Sequence, residues 1–251
     1  MREPDNKHYD KLDIIVFGVT GFTGFTGKPL TRVKGRVKQI KGGASGGTIA
    51  SLTETMKAAA KNPKIIGLLK SSFALTPGFE GPSQPSGMMP EYDSATGTWT
   101  APFVMAPINT KNVHRTNFLL GHAYGRDLVY DEMIMTTLGD AGRAMAEAIA
   151  KANPFGDSKI APGDGPSKEE RENGFYDVLF IGEYPDGTQV RASVQGDKDP
   201  GYGSTSKMIA ESALTLLETD TPGGVVTPGA IIAAPLMARL VANAGLTFGV
   251  E

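Results

Sequence analysis

The sequence predicts a mixed α/β fold in which one main β-sheet of roughly five to seven strands is combined with helices. Three observations carry that expectation. An apolar run, Ile14 to Phe17, leads into glycines at Gly18, Gly21 and Gly24, the pattern of a strand followed by a tight nucleotide-binding turn. Two more strand patterns, from Gly174 to Tyr184 and from Gln189 to Gly196, are joined by Pro185-Asp186-Gly187, a strong hairpin signal. Helical periodicity stands between the strand candidates, clearest from Gly139 to Ala152, where Ala141, Ala144, Met145, Ala148 and Ile149 share a side.

The first turn matters most for function. Its glycines let the backbone N–H groups face a pyrophosphate at the start of a helix, which makes Gly18, Thr20, Gly21, Phe22, Thr23 and Gly24 the cofactor-binding candidates. The unit is incomplete. A repeat, Phe25-Thr26-Gly27, follows in place of a helix, and no ribose-reading acidic or basic residue stands about twenty positions on. From Val33 to Ile40 the alternation suits a strand. Its basic residues, Arg32, Lys34, Arg36 and Lys38, with Lys41, are expected to form a solvated face rather than a phosphate-binding stripe.

A second glycine-rich passage, Lys41 to Ser51, reads as a strand end, a loop and a helix starting near Ser45 or Thr48 and running towards Asn62-Pro63. Two readings stay open for it: an anion site at the helix N-terminus, or a tight strand-to-helix crossing. Ile65 to Leu69, bounded by Lys64 and Lys70, reads as a buried helix. From Ser71 to Thr100 proline, glycine and serine dominate, which predicts a long loop or a lid over a site. Strands are expected at Ala101–Ala106, Asn112–Phe118 and Leu128–Thr137, so that His114 and Arg115 would point to opposite faces. After the hairpin, a helix begins near Ser204 or Thr205. Another begins at Thr227-Pro228 with a hydroxyl cap and closes at Gly245.

Composition narrows the function classes. The 251 residues are 40% hydrophobic and 21% charged, with a formal net charge of −2, which supplies no electrostatic reason to expect a nucleic-acid partner. There are no cysteines, which removes disulfides, thiolate ligands and thiol nucleophiles together. The three histidines stand apart from any metal-ligand spacing, so no metal site is expected. The polar N-terminus carries no secretory pattern, and no apolar run approaches the ~20 residues of a membrane span. A cytoplasmic location follows as the expectation, with peripheral contact to a membrane or lipid droplet left open.

Several ordered passages together are similar to a known family. They are Asp13–Gly24, Lys41–Ser51, Ala101–Ala106, Tyr124-Gly125-Arg126, Gly196-Asp197-Lys198-Asp199-Pro200-Gly201-Tyr202-Gly203 through Ala213, Gly223–Pro228 and Ala244–Phe248. They resemble the saccharopine dehydrogenase-like oxidoreductases, in the branch that contains the trans-acting enoyl reductases. The resemblance implies a Rossmann domain, then a mixed sheet with helices on one face, then a C-terminal helix. Here residues 1–31 would be a remnant βα turn of the dinucleotide-binding domain and residues 32–251 a substrate and dimerisation domain. On the order of a hundred and fifty residues of the family's nucleotide domain would be missing between Gly27 and Lys34, making this a truncated chain.

The resemblance also implies hydride transfer from NADP or NAD to a small-molecule, acyl-lipid or amino-acid-type substrate. Ser45, Thr48, Arg115, Tyr124, Asp199 and Tyr202 are its substrate-pocket candidates, with catalytic residues unassigned. A lone βα turn contributes a few hydrogen bonds of about 1 kcal/mol each, so cofactor binding is expected to be weak or lost. The other reading of the residues is a non-catalytic dimerisation or lipid-associated module, a possible homodimer.

Overall fold

A computed structural model describes residues 29–42, 46–152, 161 and 163–250. The cofactor candidates Gly18, Thr20, Gly21, Phe22, Thr23 and Gly24, the strand expected at Asp13–Val19, and Ser45 lie outside the described residues. In chain order the elements are β1 (Arg32–Lys41), α1 (Gly46–Lys61), α2 (Pro63–Lys70), β2 (Glu91–Asp93), β3 (Thr98–Pro102), α3 (Ala106–Leu119), β4 (Val129–Met135) and α4 (Gly139–Lys151). There follow α5 (Lys168–Glu172), β5 (Phe175–Glu183), β6 (Gln189–Gly196), α6 (Gly203–Glu218), α7 (Pro228–Ile231), α8 (Ala233–Asn243) and β7 (Leu246–Val250).

The strands form one seven-stranded mixed sheet in the order β2-β3-β4-β1-β5-β6-β7. β1 runs parallel to β4, and every other pairing is antiparallel. Register lines up Val37 with Ile134 and Val178, and Val178 with Val194, which pairs with Phe248. These residues share one face, because side chains alternate along a strand. Helices cover that face: Val113 of α3 packs with Val33, Tyr130 and Phe180, while Leu236 and Leu240 of α8 meet Phe248 and Met208 of α6.

Four expectations are corrected. Asn112–Phe118 is not a strand but part of α3, with Pro107 in the first turn where its missing N–H is harmless. The buried positions of α3 are Thr110, Val113, His114, Thr116 and Asn117, mostly polar, so no apolar helical stripe marked it in the sequence. The expected strand at Ala101–Ala106 spans Thr98–Pro102 instead, and the supposed loop before it contains the β2–β3 hairpin, with Gly97 at φ +71° in its turn. The helix at Pro63–Lys70 forms, capped by Asn62, but buries none of its residues. The last helix divides at Ile232 and is followed by an unexpected strand, β7. Pro235 cannot donate to the Ile231 carbonyl, so the chain restarts as a new helix with that proline in its first turn.

The basic face of β1 is corrected in part: Lys34 and Arg36 are buried, Arg32 is half-buried, and only Lys38 and Lys41 face solvent as expected. Arg36 is fully covered and donates from Nε to Asp93 (2.6 Å) and from Nη1 to Asp131 (2.6 Å) and the Gly35 carbonyl (2.8 Å). Lys34 also reaches Asp93 (3.2 Å), and Arg32 reaches Asp131 (2.9 Å). Asp93 belongs to the edge strand β2, separated from β1 by β3 and β4, so the hairpin turn folds back over this face. Arg191 of β6 donates to the Ala95 carbonyl (2.6 Å) and holds the turn there. Burial favours a neutral Asp93, but the hydrogen bond and charge of Arg36 outweigh it and keep the carboxyl below its ordinary range.

Candidate functional site

A cavity of about 190 Å³ lies on the helix-covered face. Val37, Phe180, Val178 and Val194 form its sheet wall, Leu246 closes one side, and Met208, Pro200 and Phe103 complete the apolar lining. Its polar groups sit at Asn109, Glu132 and Tyr176. The Tyr176 hydroxyl is 2.9 Å from the Ser204 hydroxyl, and burial raises its pKa. Gly196, opposite Tyr176 on β6, leaves room for the aromatic ring, which a Cβ there would strike.

Glu132 is the unusual group. Alternation along β4 turns Tyr130 and Glu132 to this face and Asp131, part of the ion network, and Met133, whose sulfur accepts from the Thr100 hydroxyl, to the other. The Tyr130 hydroxyl donates to Glu132 Oε1, and Asn109 of α3 donates from Nδ2 to Oε2 (2.7 Å). Gly35, paired with Glu132 across β1 and β4, supplies the space: a Cβ there would stand 2.7 Å from Glu132 Cγ. Among the described residues no lysine, arginine or histidine forms an ion pair with Glu132. Burial therefore raises its pKa, against the two donated hydrogen bonds, and the Asp131 charge adds to the rise. Tyr130 is raised well above the usual phenol value by burial and by Glu132. Glu132 also borders a second hollow of about 440 Å³, walled by Lys70, Ser72, the 84–88 segment, Thr110 and Lys111.

The residues singled out from the sequence do not converge on this cavity. Arg115 sits on α3, where it ties the Leu75 carbonyl (3.1 Å) to the Val225 carbonyl (2.7 Å). Tyr124 is buried in the main core, its backbone N–H donating to Asn117 Oδ1 (2.9 Å). Asp199 is fully buried and caps α6, accepting from the backbone amides of Gly201 (2.8 Å), Tyr202 (3.2 Å) and Gly203 (2.5 Å). Tyr202, the residue at that helix start, is exposed beside Gly165 over a polar hollow of about 730 Å³. Thr48 lies within α1. Of the two readings for the glycines before α1, the packing favours the crossing. The Gly46 amide donates to the Asp164 carbonyl (3.0 Å), and a Cβ at Gly46 would overlap the Ala161 backbone.

Asn109, Tyr130 and Glu132 escaped the sequence reading, although one signal was present. Asp131 and Glu132 interrupt an otherwise apolar strand, and a charge inside such a run marks a buried polar network. Among the described residues no group of three or more His, Asp or Glu could hold a metal ion, and no helix is long and apolar enough to cross a membrane.

Comparison with known proteins finds relatives by sequence. Over 236 aligned residues the chain is 35% identical to a Mycobacterium tuberculosis protein named as a trans-acting enoyl reductase, covering 82% of this chain and 56% of that protein. Trans-acting enoyl reductases of Mycobacterium bovis (31% over 235 residues, 82% of this chain and 56% of theirs) and Mycobacterium ulcerans (32% over 228 residues, 78% and 54%) are similar as well. The chain thus spans little more than half the length of the curated relatives it matches. No family model and no solved structure matches it.

Proposed function

We propose that this chain is an enoyl-reductase-like oxidoreductase of the saccharopine dehydrogenase-like kind, reduced mainly to the part that receives the acyl substrate. The observation that carries the reading is the apolar cavity ending on a buried carboxyl with no ion-pair partner among the described residues, which suits a ligand with an apolar chain and one polar group. The similarity to proteins named enoyl reductases supports it and suggests a nicotinamide as the hydride source, NADP or NAD. The segment for that nucleotide is the turn Gly18–Gly24, with residues 1–31 as the remnant of its domain.

Among the described residues, the glycine-led helix starts at α1 and α6 offer no free amides to a phosphate. The amide at the start of α1 is spent on Asp164, and the first amides of α6 are spent on Asp199. On this reading the chain alone, with one βα turn to offer, binds the nucleotide weakly or not at all and is impaired as a catalyst. Titration with NADPH and NADH, followed by nucleotide fluorescence and thermal shift, tests this. A Kd below about 100 μM would stabilise the fold by about 1.4 kcal/mol at ten times that concentration and would overturn the weak-binding reading.

A second reading has its own observation. Leu217 and Ile209 on α6 are 84% and 72% exposed, and Leu68 on α2 is 58% exposed, which favours a dimerisation or lipid-associated module at a second copy, a membrane surface or a lipid droplet in the cytoplasm. Sedimentation of the wild type and of Leu217→Glu separates the readings. A concentration-dependent dimer abolished by the charge supports the module; a monomer that also ignores vesicles excludes it.

A further inference from the structure

The Glu132 carboxyl is buried, accepts hydrogen bonds only from neutral donors among the described residues and borders the apolar cavity. Both oxygens accept one hydrogen bond from a neutral donor, Tyr130 on Oε1 and Asn109 on Oε2. A carboxyl oxygen has two acceptor positions, so one position on each remains, and on a neutral carboxyl one of them carries the O–H. The charged groups nearest in the fold do not neutralise it. Arg36 is committed to Asp93 and Asp131 across the sheet, Asp131 is itself an anion on that opposite face, and Lys111 of α3 donates to the Leu69 (2.9 Å) and Pro107 (3.1 Å) carbonyls. Lys70 lines the second hollow, and Tyr176, across the apolar cavity, is bonded to Ser204. A buried carboxyl without a cation is favoured as the neutral acid.

We infer that Glu132, positioned by Tyr130 and Asn109, is the group that recognises the carbonyl oxygen of an acyl ligand in the apolar cavity, donating a hydrogen bond from its neutral carboxyl. The inference rests on the acyl-substrate reading and gives it a recognition element. The cavity fits the demand: an apolar trough takes the chain, and one oriented donor reads the polar end. At about 190 Å³ it is smaller than the ~300–1,000 Å³ of sites that enclose a drug-sized ligand, so it holds the carbonyl and a short stretch of chain. For a conjugated acyl group, a hydrogen bond to the carbonyl also draws electron density from the double bond. No proton is transferred in this role.

The test uses the full 251-residue chain without nucleotide and two probes, the N-acetylcysteamine thioesters of decanoic acid and of trans-2-decenoic acid. A hydrogen bond to the conjugated carbonyl moves the enoyl absorption to longer wavelength on binding. The expected results are a red-shifted bound enoyl probe that loses its shift as pH rises through the Glu132 titration, and a shift independent of pH in Glu132→Gln, whose amide still donates. In Glu132→Met the shift disappears and the enoyl affinity falls roughly tenfold, the worth of one such hydrogen bond. The thermal melt serves as the folding control for both variants, and the saturated probe, which carries the same carbonyl, should lose affinity in Glu132→Met in parallel with the enoyl probe. A red shift retained in Glu132→Met, or one indifferent to pH in the wild type, overturns the role given to Glu132 while leaving the acyl cavity standing. Failure of the wild type to bind either thioester overturns the acyl cavity and this inference with it.

Discussion

Arg36 is where a single substitution should reveal most about how this fold is held. Replacing it with methionine keeps the bulk of the stem and removes the guanidinium, leaving Asp93 and Asp131 without the cation that lies 2.6 Å from each. Breaking a buried pair by removing one partner costs about 3–5 kcal/mol, because the remaining charge stays buried and uncompensated. The structure argues for the lower end. Asp93 would keep Lys34 at 3.2 Å and the Ala95 amide at 3.0 Å, and Asp131 would keep Arg32 at 2.9 Å. A loss of about 3 kcal/mol lowers the melting temperature by roughly 6–12 °C in a domain of this size. The assay is urea unfolding followed by the fluorescence of Trp99, the sole tryptophan, which lies on the β2–β3 hairpin that the network holds down. Adding Asp93→Asn and Asp131→Asn to Arg36→Met should recover part of the loss, since it removes the orphaned charges. A loss under about 1 kcal/mol for Arg36→Met alone would refute the argument that this face of β1 is a desolvated ion network.

The other expectations concern pH and capping. His114 is 3% exposed, packed against the Phe73 ring at a 41° tilt with its Nε2 unpartnered, and burial lowers its pKa from 6.5 to about 4. The unfolded chain then binds the extra proton first, so stability falls as pH drops from about 6.5 to 4, by about 3 kcal/mol in all. Glu132 runs the opposite way, since its raised pKa contributes stability at low pH that is lost as pH rises through the folded value. The difference between wild type and His114→Leu isolates the histidine; equal pH slopes for the two would contradict its buried neutral state. Asp199→Ala should cost about 2 kcal/mol, because three amides at the start of α6 lose their acceptor. A variant that instead keeps its urea midpoint and loses thioester binding would make Asp199 a pocket residue rather than a cap.

Much of the fold was legible because strands and turns advertise themselves locally. The β5–β6 hairpin was read with nearly its observed bounds, since Pro185-Asp186-Gly187 can only turn there and both flanks alternate. β1 was legible as a strand from Val33 and Val37, yet the environment of its cations was not, because Asp93 and Asp131 stand 57 and 95 residues from Arg36. α3 was misread because a helix that buries Thr110, His114, Thr116 and Asn117 shows no apolar period. The candidate site was least legible of all. Glu132 draws its chemistry from Asn109 on a helix, Tyr130 on its own strand and the absence of a side chain at Gly35, and no local pattern links them.

By itself the sequence determined the mixed α/β class, most strands, the approximate places of the later helices and the exclusion of cysteine chemistry, all consequences of composition and short-range spacing; the expected hydroxyl caps did not form, since α6 is capped by Asp199 and the Thr227 hydroxyl bonds Thr116. Only the tertiary structure decided which charges are buried, that Arg115 and Asp199 tie backbone together, and that one carboxyl faces an apolar cavity without a cation. The reason is physical. Hydrogen-bond geometry and side-chain alternation act over a few residues, whereas the desolvation that sets a charge's energy depends on whatever the completed sheet and its helices bring beside it.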